Sequence, residues 1–169
     1  KGTITRIGGV AIFGGFVLGA LLMQELSFQA WGLLFSGTMI MILGLVDDIK
    51  GISPKVKLLG QVMAAVVLVY FGVEVKFITN PFTGGIISLG LFSIPVTVFW
   101  VTGMSNAVNL IDGLDGLAAG VSGIAAVTLA VVAWTQGQFE TVYLALLLAA
   151  AALGFLKFNF HPAKLFMGD

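Results

Sequence analysis

Four residues able to bind or polarise a ligand recur at a constant step of three: Asn106, Asn109, Asp112 and Asp115, in Asn106-Ala-Val-Asn-Leu-Ile-Asp-Gly-Leu-Asp-Gly-Leu-Ala118. On a helix each step of three falls short of a turn by about 60°, so Asn106, Asn109 and Asp112 share one polar face about 120° wide. Gly113 and Gly116 then let the backbone leave the helix and approach a ligand closely. One Asn or Asp suffices to end a helix; four such groups with nothing basic between them exceed that need. A second pair, Asp47-Asp48, ends the apolar run Met39 to Val46. Two adjacent carboxylates can hold a divalent cation, or one can act as a base whose pKa the other raises. The plain alternative is a helix end solvated by headgroup water and paired with Lys50. A third group, Phe158-Asn-Phe-His-Pro-Ala-Lys-Leu-Phe-Met-Gly-Asp169, sets Asp169 behind a glycine. His161 is the only histidine, and one imidazole does not define a site.

Carboxylates and Asn amides without Cys form an oxygen-only donor set, which suits Mg²⁺, with Mn²⁺ the alternative, rather than zinc. Such a cation chiefly handles phosphates. Lys50, Lys55, Lys57 and Lys164 could neutralise further phosphate oxygens, which outlines phosphoryl transfer between a soluble nucleotide and a membrane lipid.

The elements that must carry these groups follow from where charge is missing. Of 169 residues, 59% are hydrophobic and 9% charged, against roughly 25% charged in soluble domains. Charge-free runs occupy 7–24, 26–46, 58–73, 77–111, 116–139 and 141–156. A helix crossing a bilayer core needs about 20 residues, so five runs predict one crossing each. The run 77–111 divides into an exposed β-hairpin, Val73 to Leu91 around Asn80-Pro-Phe-Thr-Gly-Gly85, and a crossing from about Phe92 to Leu110 with Pro95 near its start. The expected fold class is an all-α polytopic membrane protein of about six transmembrane helices with an external hairpin, in a single transmembrane domain over 1–169. Gly15/Gly19 and Gly116/Gly120 are spaced for close helix packing in lipid, and Pro162 should prevent the sixth helix from continuing.

Six spans sort the charges. Lys1, Arg6, Lys50, Lys55, Lys57, Lys157 and Lys164 fall on one side and Lys76 on the other, which places the first side in the cytoplasm of a plasma membrane. All five aspartates lie on that side too, and Glu25, Glu74 and Glu140 lie opposite. The eight basic and eight acidic residues balance, so no overall field attracts a polyanion and nucleic acid is not an expected partner.

Three blocks together, Gly44-Leu-Val-Asp-Asp48 with Ser53-Pro-Lys-Val-Lys-Leu-Leu-Gly-Gln61, the 106–118 block and the 158–169 block, resemble the polyprenyl-phosphate N-acetylhexosamine-1-phosphate transferases, glycosyltransferase family 4. The resemblance runs from Thr5-Arg6-x-Gly-Gly9 to the last residue. It implies transfer of a sugar 1-phosphate from a UDP-sugar to undecaprenyl phosphate or a similar polyprenyl phosphate, releasing UMP, with Mg²⁺. It implies that Asp169 is the direct metal ligand, with Asn109 beside the metal, and that Asp47 deprotonates or orients the lipid phosphate with Asp48 as its partner. Asn109, Asp112 and Asp115 would lie near nucleotide and metal, and Asn106, Lys57 and Lys50 among the substrate-binding residues. Lys50 stands two residues after Asp48, where the muramyl branch has a functional lysine three after, so that role is not transferred. The opening block and the Ile52-Ser-Pro loop look more like the branch using UDP-GlcNAc than the phospho-N-acetylmuramoyl-pentapeptide transferases. The family's histidine-rich later loop and earliest helices are not seen, so the chain is expected to be a fragment of a longer multi-pass enzyme, inactive alone. A homodimer is among the arrangements allowed.

Rival chemistries fit less well. A CDP-alcohol phosphotransferase needs further aspartates about a helix after its Asp-Gly pair, and after Asp115 the next acid is Glu140. An intramembrane aspartyl protease or a cation-coupled transporter needs acids near mid-membrane, and here all sit at the edges. The transferase reading requires Asp47, Asp48, Asp112 and Asp169 to converge on one cleft.

Overall fold

The computed structural model describes residues 7–23 and 25–169. The basic residues Lys1 and Arg6, and the Thr5-Arg6 part of the opening block, lie outside the described residues. Six α-helices follow in order: α1 (Gly8–Leu21), α2 (Phe28–Lys50), α3 (Pro54–Tyr70), α4 (Ser93–Ile111), α5 (Leu117–Thr135) and α6 (Phe139–Asn159). Between α3 and α4 lie two short antiparallel strands, β1 (Phe77–Thr79) and β2 (Ile86–Ser88), in the register Phe77↔Ser88, Ile78↔Ile87 and Thr79↔Ile86. The Asn80 side chain shapes the turn by accepting from Phe82 N at 2.9 Å, and both strands are exposed. A 3₁₀ turn (Gly90–Phe92) leads into α4.

Four helices are long and apolar enough to span a bilayer unaided: α2, α4 with its preceding 3₁₀ turn, α5 and α6. α1 has 14 residues, about 21 Å, short of the roughly 30 Å hydrocarbon core. α3 has 17 residues and carries Lys55 and Lys57 in its first turn and Gln61 near its middle. α1 is shorter than its charge-free run 7–24 because the chain must turn at each end, whereas α3 begins ahead of its run 58–73, at Pro54.

Small residues fill the interior. Ala20, Ala64, Ala65, Ala118 and Ala119 are completely buried, while large apolar side chains such as Phe99, Leu110, Trp134 and Leu91 face outward. That distribution reverses the soluble pattern and matches helices that approach closely through small residues with lipid outside. α6 packs on α5 and α1, and α3 packs on α2 and α4, while α1–α2 and α4–α5 touch lightly. Of the two glycine pairs expected at helix interfaces, Gly15 and Gly19 do face α6, against Ala151 and Leu147. Gly120 faces nothing within 4 Å, and Gly116 serves a turn: it caps α5 in the left-handed region at φ 74°, a conformation open to glycine.

Two devices fix the ends. At the end opposite the aspartates, Ser27 caps α2, and its own N–H donates to Glu140 Oε1 at 2.7 Å, joining the starts of α2 and α6. At the aspartate end α2 reverses into α3 through Gly51 (φ 63°), and Ser53 caps α3 with Pro54 in its first turn.

Candidate active site

Asp47 and Asp48 occupy the last turn of α2, and their 100° separation aims them at different neighbours. Asp47 faces α3: Oδ1 accepts from Ile52 N at 2.9 Å and Oδ2 from Lys57 Nζ at 2.8 Å. Asp48 faces the C-terminal tail, and its Oδ2 accepts from Asp169 N at 2.9 Å. The Asp169 carboxylate is held from two helices, with Oδ1 accepting from Asn109 Nδ2 of α4 at 2.7 Å and Oδ2 paired with Lys57 Nζ of α3 at 3.1 Å. Lys57 thus bridges Asp47 and Asp169.

The tail reaches this position because α6 stops at Asn159, two residues short of the His161-Pro162 bond, and Phe160 turns extended. It then crosses the end of the bundle. Asp115 Oδ2 accepts from Ala163 N at 3.1 Å and lies 3.0 Å from His161 Nδ1. Asn159, 1% exposed, accepts from Gly116 N at 3.0 Å and donates to Leu165 O at 2.9 Å. Farther along, Phe166 O and Met167 O accept from the Gly8 and Gly9 amides at 3.0 and 2.7 Å. Those donors belong to the first turn of α1, which lacks intrahelical partners. Gly168 (φ 84°) makes the last bend. Gly44 of α2 gives Asp169 its seat: a Cβ there would stand 2.5 Å from the Asp169 carbonyl carbon.

A cleft of about 410 Å³ opens here, lined by Asp48, Asn109, Asp112, Phe166, Gly168 and Asp169 among others. An apolar groove of about 300 Å³ between α1 and α2, walled by Val10, Phe13, Ile40 and Met41, shares Asp48, Gly168 and Asp169 with it. Burial raises the pKa of Asp112, and the charges of Asp169 and Asp48 raise it further, partly opposed by the Gly168 amide. Asp115 is held below the ordinary carboxylate range by the Ala163 amide and by His161. Asp48, Asp112 and Asp169 therefore line the cleft together, and Asp47, outside its wall, is tied to Asp169 through the Lys57 ammonium that pairs with both. Excess negative charge at a partly buried site calls for a cation. Among the described residues no three His, Cys, Asp or Glu side chains close a ready-made metal cage. The side chains on the cleft wall whose oxygens could hold a hydrated divalent ion are Asp48, Asn109, Asp112 and Asp169.

The structure brings Asp47, Asp48, Asn109, Asp112, Asp169 and Lys57 together. Asp115 faces the tail beside His161, and Lys50 is exposed, with no ion pair among the described residues. Asp47 pairs with Lys57 instead of Lys50, because the turn at Gly51 brings the first turn of α3 back over the end of α2. Asn106 lies one turn deeper than Asn109, engaged with Gln61. Gln61 and Asn159 received no role from the sequence. Their signal was present: each is an uncharged polar residue that interrupts an otherwise apolar stretch, and such residues are buried only when paired.

The sequence pattern of glycosyl transferase family 4 matches residues 30–169. The chain is 44% identical over 167 residues to a probable undecaprenyl-phosphate N-acetylglucosaminyl 1-phosphate transferase of Bacillus subtilis, covering 97% of this chain and 46% of that protein. It is 42% identical over 178 residues to a phospho-N-acetylmuramoyl-pentapeptide-transferase of Geobacillus, covering 96% and 55%, and 38% identical over 184 residues to that of Anoxybacillus flavithermus, covering 100% and 56%. The chain spans about half the length of these curated relatives. With the polar blocks gathered at one end of an apolar bundle and the match extending over most of its length, the chain belongs to glycosyl transferase family 4.

Proposed function

We propose that the protein carrying this chain transfers N-acetylglucosamine 1-phosphate from UDP-GlcNAc to undecaprenyl phosphate, releasing UMP, with the site on the cytoplasmic face of the plasma membrane. The observation that carries the reading is the convergence of Asp48, Asp112 and Asp169 with Asn109 and Lys57 at the bundle edge. The charge excess at that edge supports a magnesium ion held by Asp169 and Asn109, with Asp48 and Asp112 alongside. Magnesium, when bound, would neutralise the phosphate oxygens of the donor.

In the reaction a lipid phosphate oxygen attacks the sugar-bearing phosphorus. A new P–O–P link forms, the bond from that phosphorus to the bridging oxygen breaks, and UMP leaves with that oxygen. The second pKa of a phosphate monoester is about 6, so the lipid phosphate is mostly a dianion at neutral pH and needs little deprotonation. Asp47 is accordingly assigned to orientation: it holds Lys57 where the ammonium can meet a phosphate oxygen. Asn109 and Lys57 fix the Asp169 carboxylate, so the barrier is lowered mainly by positioning and charge stabilisation. The apolar groove that meets the cleft at Asp48 offers a surface continuous with the membrane-facing sides of α1 and α2.

The test uses the full-length protein in lipid with undecaprenyl phosphate. Mg²⁺-dependent UMP release from UDP-GlcNAc is expected, and Asp169→Asn should abolish it. Unchanged turnover in that variant would remove the metal assignment. Turnover of UDP-N-acetylmuramoyl-pentapeptide in place of UDP-GlcNAc would favour the second activity named among the relatives.

A further inference from the structure

Gln61 is 3% exposed in the middle of α3, flanked on the same face by Ala64 and Ala65, both fully buried. Its side chain reaches across to α4, where Asn106 Nδ2 donates to Gln61 Oε1 at 2.7 Å and to Thr102 O at 2.8 Å, while Gln61 Nε2 lies 3.5 Å from Asn106 Oδ1. The contact is a crosswise amide pair between two packed helices. A smooth alanine surface lets helices approach but sets no register along the axis. A polar pair with one buried member does set register, since sliding by one residue leaves the buried Gln61 amide unpaired while Asn106 lies at the exposed edge of the contact.

That register matters to the site. Lys57 stands one turn above Gln61 on α3, about 6 Å along the axis, and Asn109 stands about 4.5 Å above Asn106 on α4. These two residues grip opposite oxygens of the Asp169 carboxylate. The four side chains and Asp169 form a closed frame whose lower bar is the amide pair and whose upper bar is the carboxylate.

We propose that Gln61 and Asn106 are positioning residues that set Lys57 and Asn109 at the separation needed to hold Asp169, an inference that rests on the transferase reading only for its kinetic readout. Asn106 then acts through Asn109 and Asp169, its own amide being occupied by Gln61 and Thr102 O.

The experiment compares Gln61→Leu, Asn106→Leu and the double variant in the full-length protein. Asn106→Leu leaves the buried Gln61 amide without its partner and should lower the thermal unfolding midpoint. Gln61→Leu should lower it less, because Asn106 is exposed and keeps Thr102 O, and the double change removes both amides and should recover most of the loss. The midpoint and the site should separate. In all three variants, including the recovered double, kcat for UMP release should fall roughly 10- to 100-fold, the range a displacement of about 1 Å produces, with KM for the UDP-sugar little changed. Acylation of Lys57, whose side chain is 16% exposed while bridging two carboxylates, should speed up several-fold in the same variants, read by mass spectrometry. A double variant with wild-type kcat and wild-type Lys57 labelling would reduce the pair to packing and overturn the proposal. A rise in KM confined to Asn106→Leu, with Gln61→Leu silent, would overturn it in favour of direct substrate contact by Asn106. If the unmodified protein releases no UMP, the transferase reading falls and Lys57 labelling alone decides: faster labelling in the double variant upholds the frame, unchanged labelling rejects it.

Discussion

Replacing Gly44 by alanine tests whether Asp169 must sit flush on α2. The added methyl carbon would stand 2.5 Å from the Asp169 carbonyl carbon and 2.6 Å from its oxygen, and ordinary contact begins at 3.4 Å, so the tail must retreat by about 0.9 Å. Gly44 is well inside α2, whose backbone has little freedom to give, so the segment carrying Asp169 is the partner that must yield. A shift of that size at the Asp169 carboxylate corresponds to about a hundredfold loss of kcat, or roughly 2.7 kcal/mol of transition-state stabilisation. Global stability should hold, because alanine improves a helix interior by up to about 1 kcal/mol over glycine and offsets part of the lost tail contact. The assay is UMP release by the full-length protein beside its thermal unfolding midpoint. Gly154→Ala, at an exposed α6 position where a methyl meets nothing within 4 Å, is the control and should leave both unchanged or raise the midpoint slightly. Gly44→Ala turnover within about twofold of wild type would refute the claim that this seat matters, since a 0.9 Å displacement predicts far more.

Two further outcomes follow from the tail's anchors. Asn159→Leu keeps the volume but strips partners from Gly116 N and Leu165 O, and at about 1–3 kcal/mol per buried unsatisfied group it should cost about 2–4 kcal/mol, read as a lowered unfolding midpoint; an unchanged midpoint would show that the tail finds other partners. Asp115 has a lowered folded pKa through Ala163 and His161, so its contribution is complete above the ordinary carboxylate pKa near 3.9 and is lost as pH falls through the lowered value. Hydrogen exchange over residues 160–165, corrected for intrinsic rates, should stay slow down to about pH 4 and accelerate below it. Asp115→Asn should exchange fast already at neutral pH, and protection equal to wild type would reject the anchor.

The helices were legible because charge is so scarce: the long gaps between ionisable residues, 77–111 aside, have nearly the length of a bilayer crossing, and the hairpin declared itself through Asn80-Pro-Phe-Thr-Gly-Gly. That the aspartates share one end of the bundle was legible as well, since all five fall on the same side once six spans are counted. What the one-dimensional pattern hid was rotation and depth. Lys50 is the lysine nearest Asp47 in sequence, yet the reversal at Gly51 delivers Lys57 to it. Asn106 and Asn109 read as one polar face, yet a step of three rotates and lowers Asn106 enough to meet Gln61 on the neighbouring helix instead of the cleft. Gly116 and Gly120 read as a packing pair, whereas one forms a turn and the other faces nothing within 4 Å. In each case the deciding fact was the orientation of a second helix.

The tail contacts also bear on the timing of synthesis. Asp169 meets Asp48 across 121 positions of sequence and Asn109 across 60, and its segment is fastened to α1 through the Gly8 and Gly9 amides. Membrane helices enter the bilayer one after another as they emerge from the ribosome, and contacts of such long range form late. Through the making of α2 to α6 the aspartate pair at 47 and 48 is therefore present without its counterpart. The acidic cleft comes into being only once residue 169 is in place, after α1 to α6 have been made.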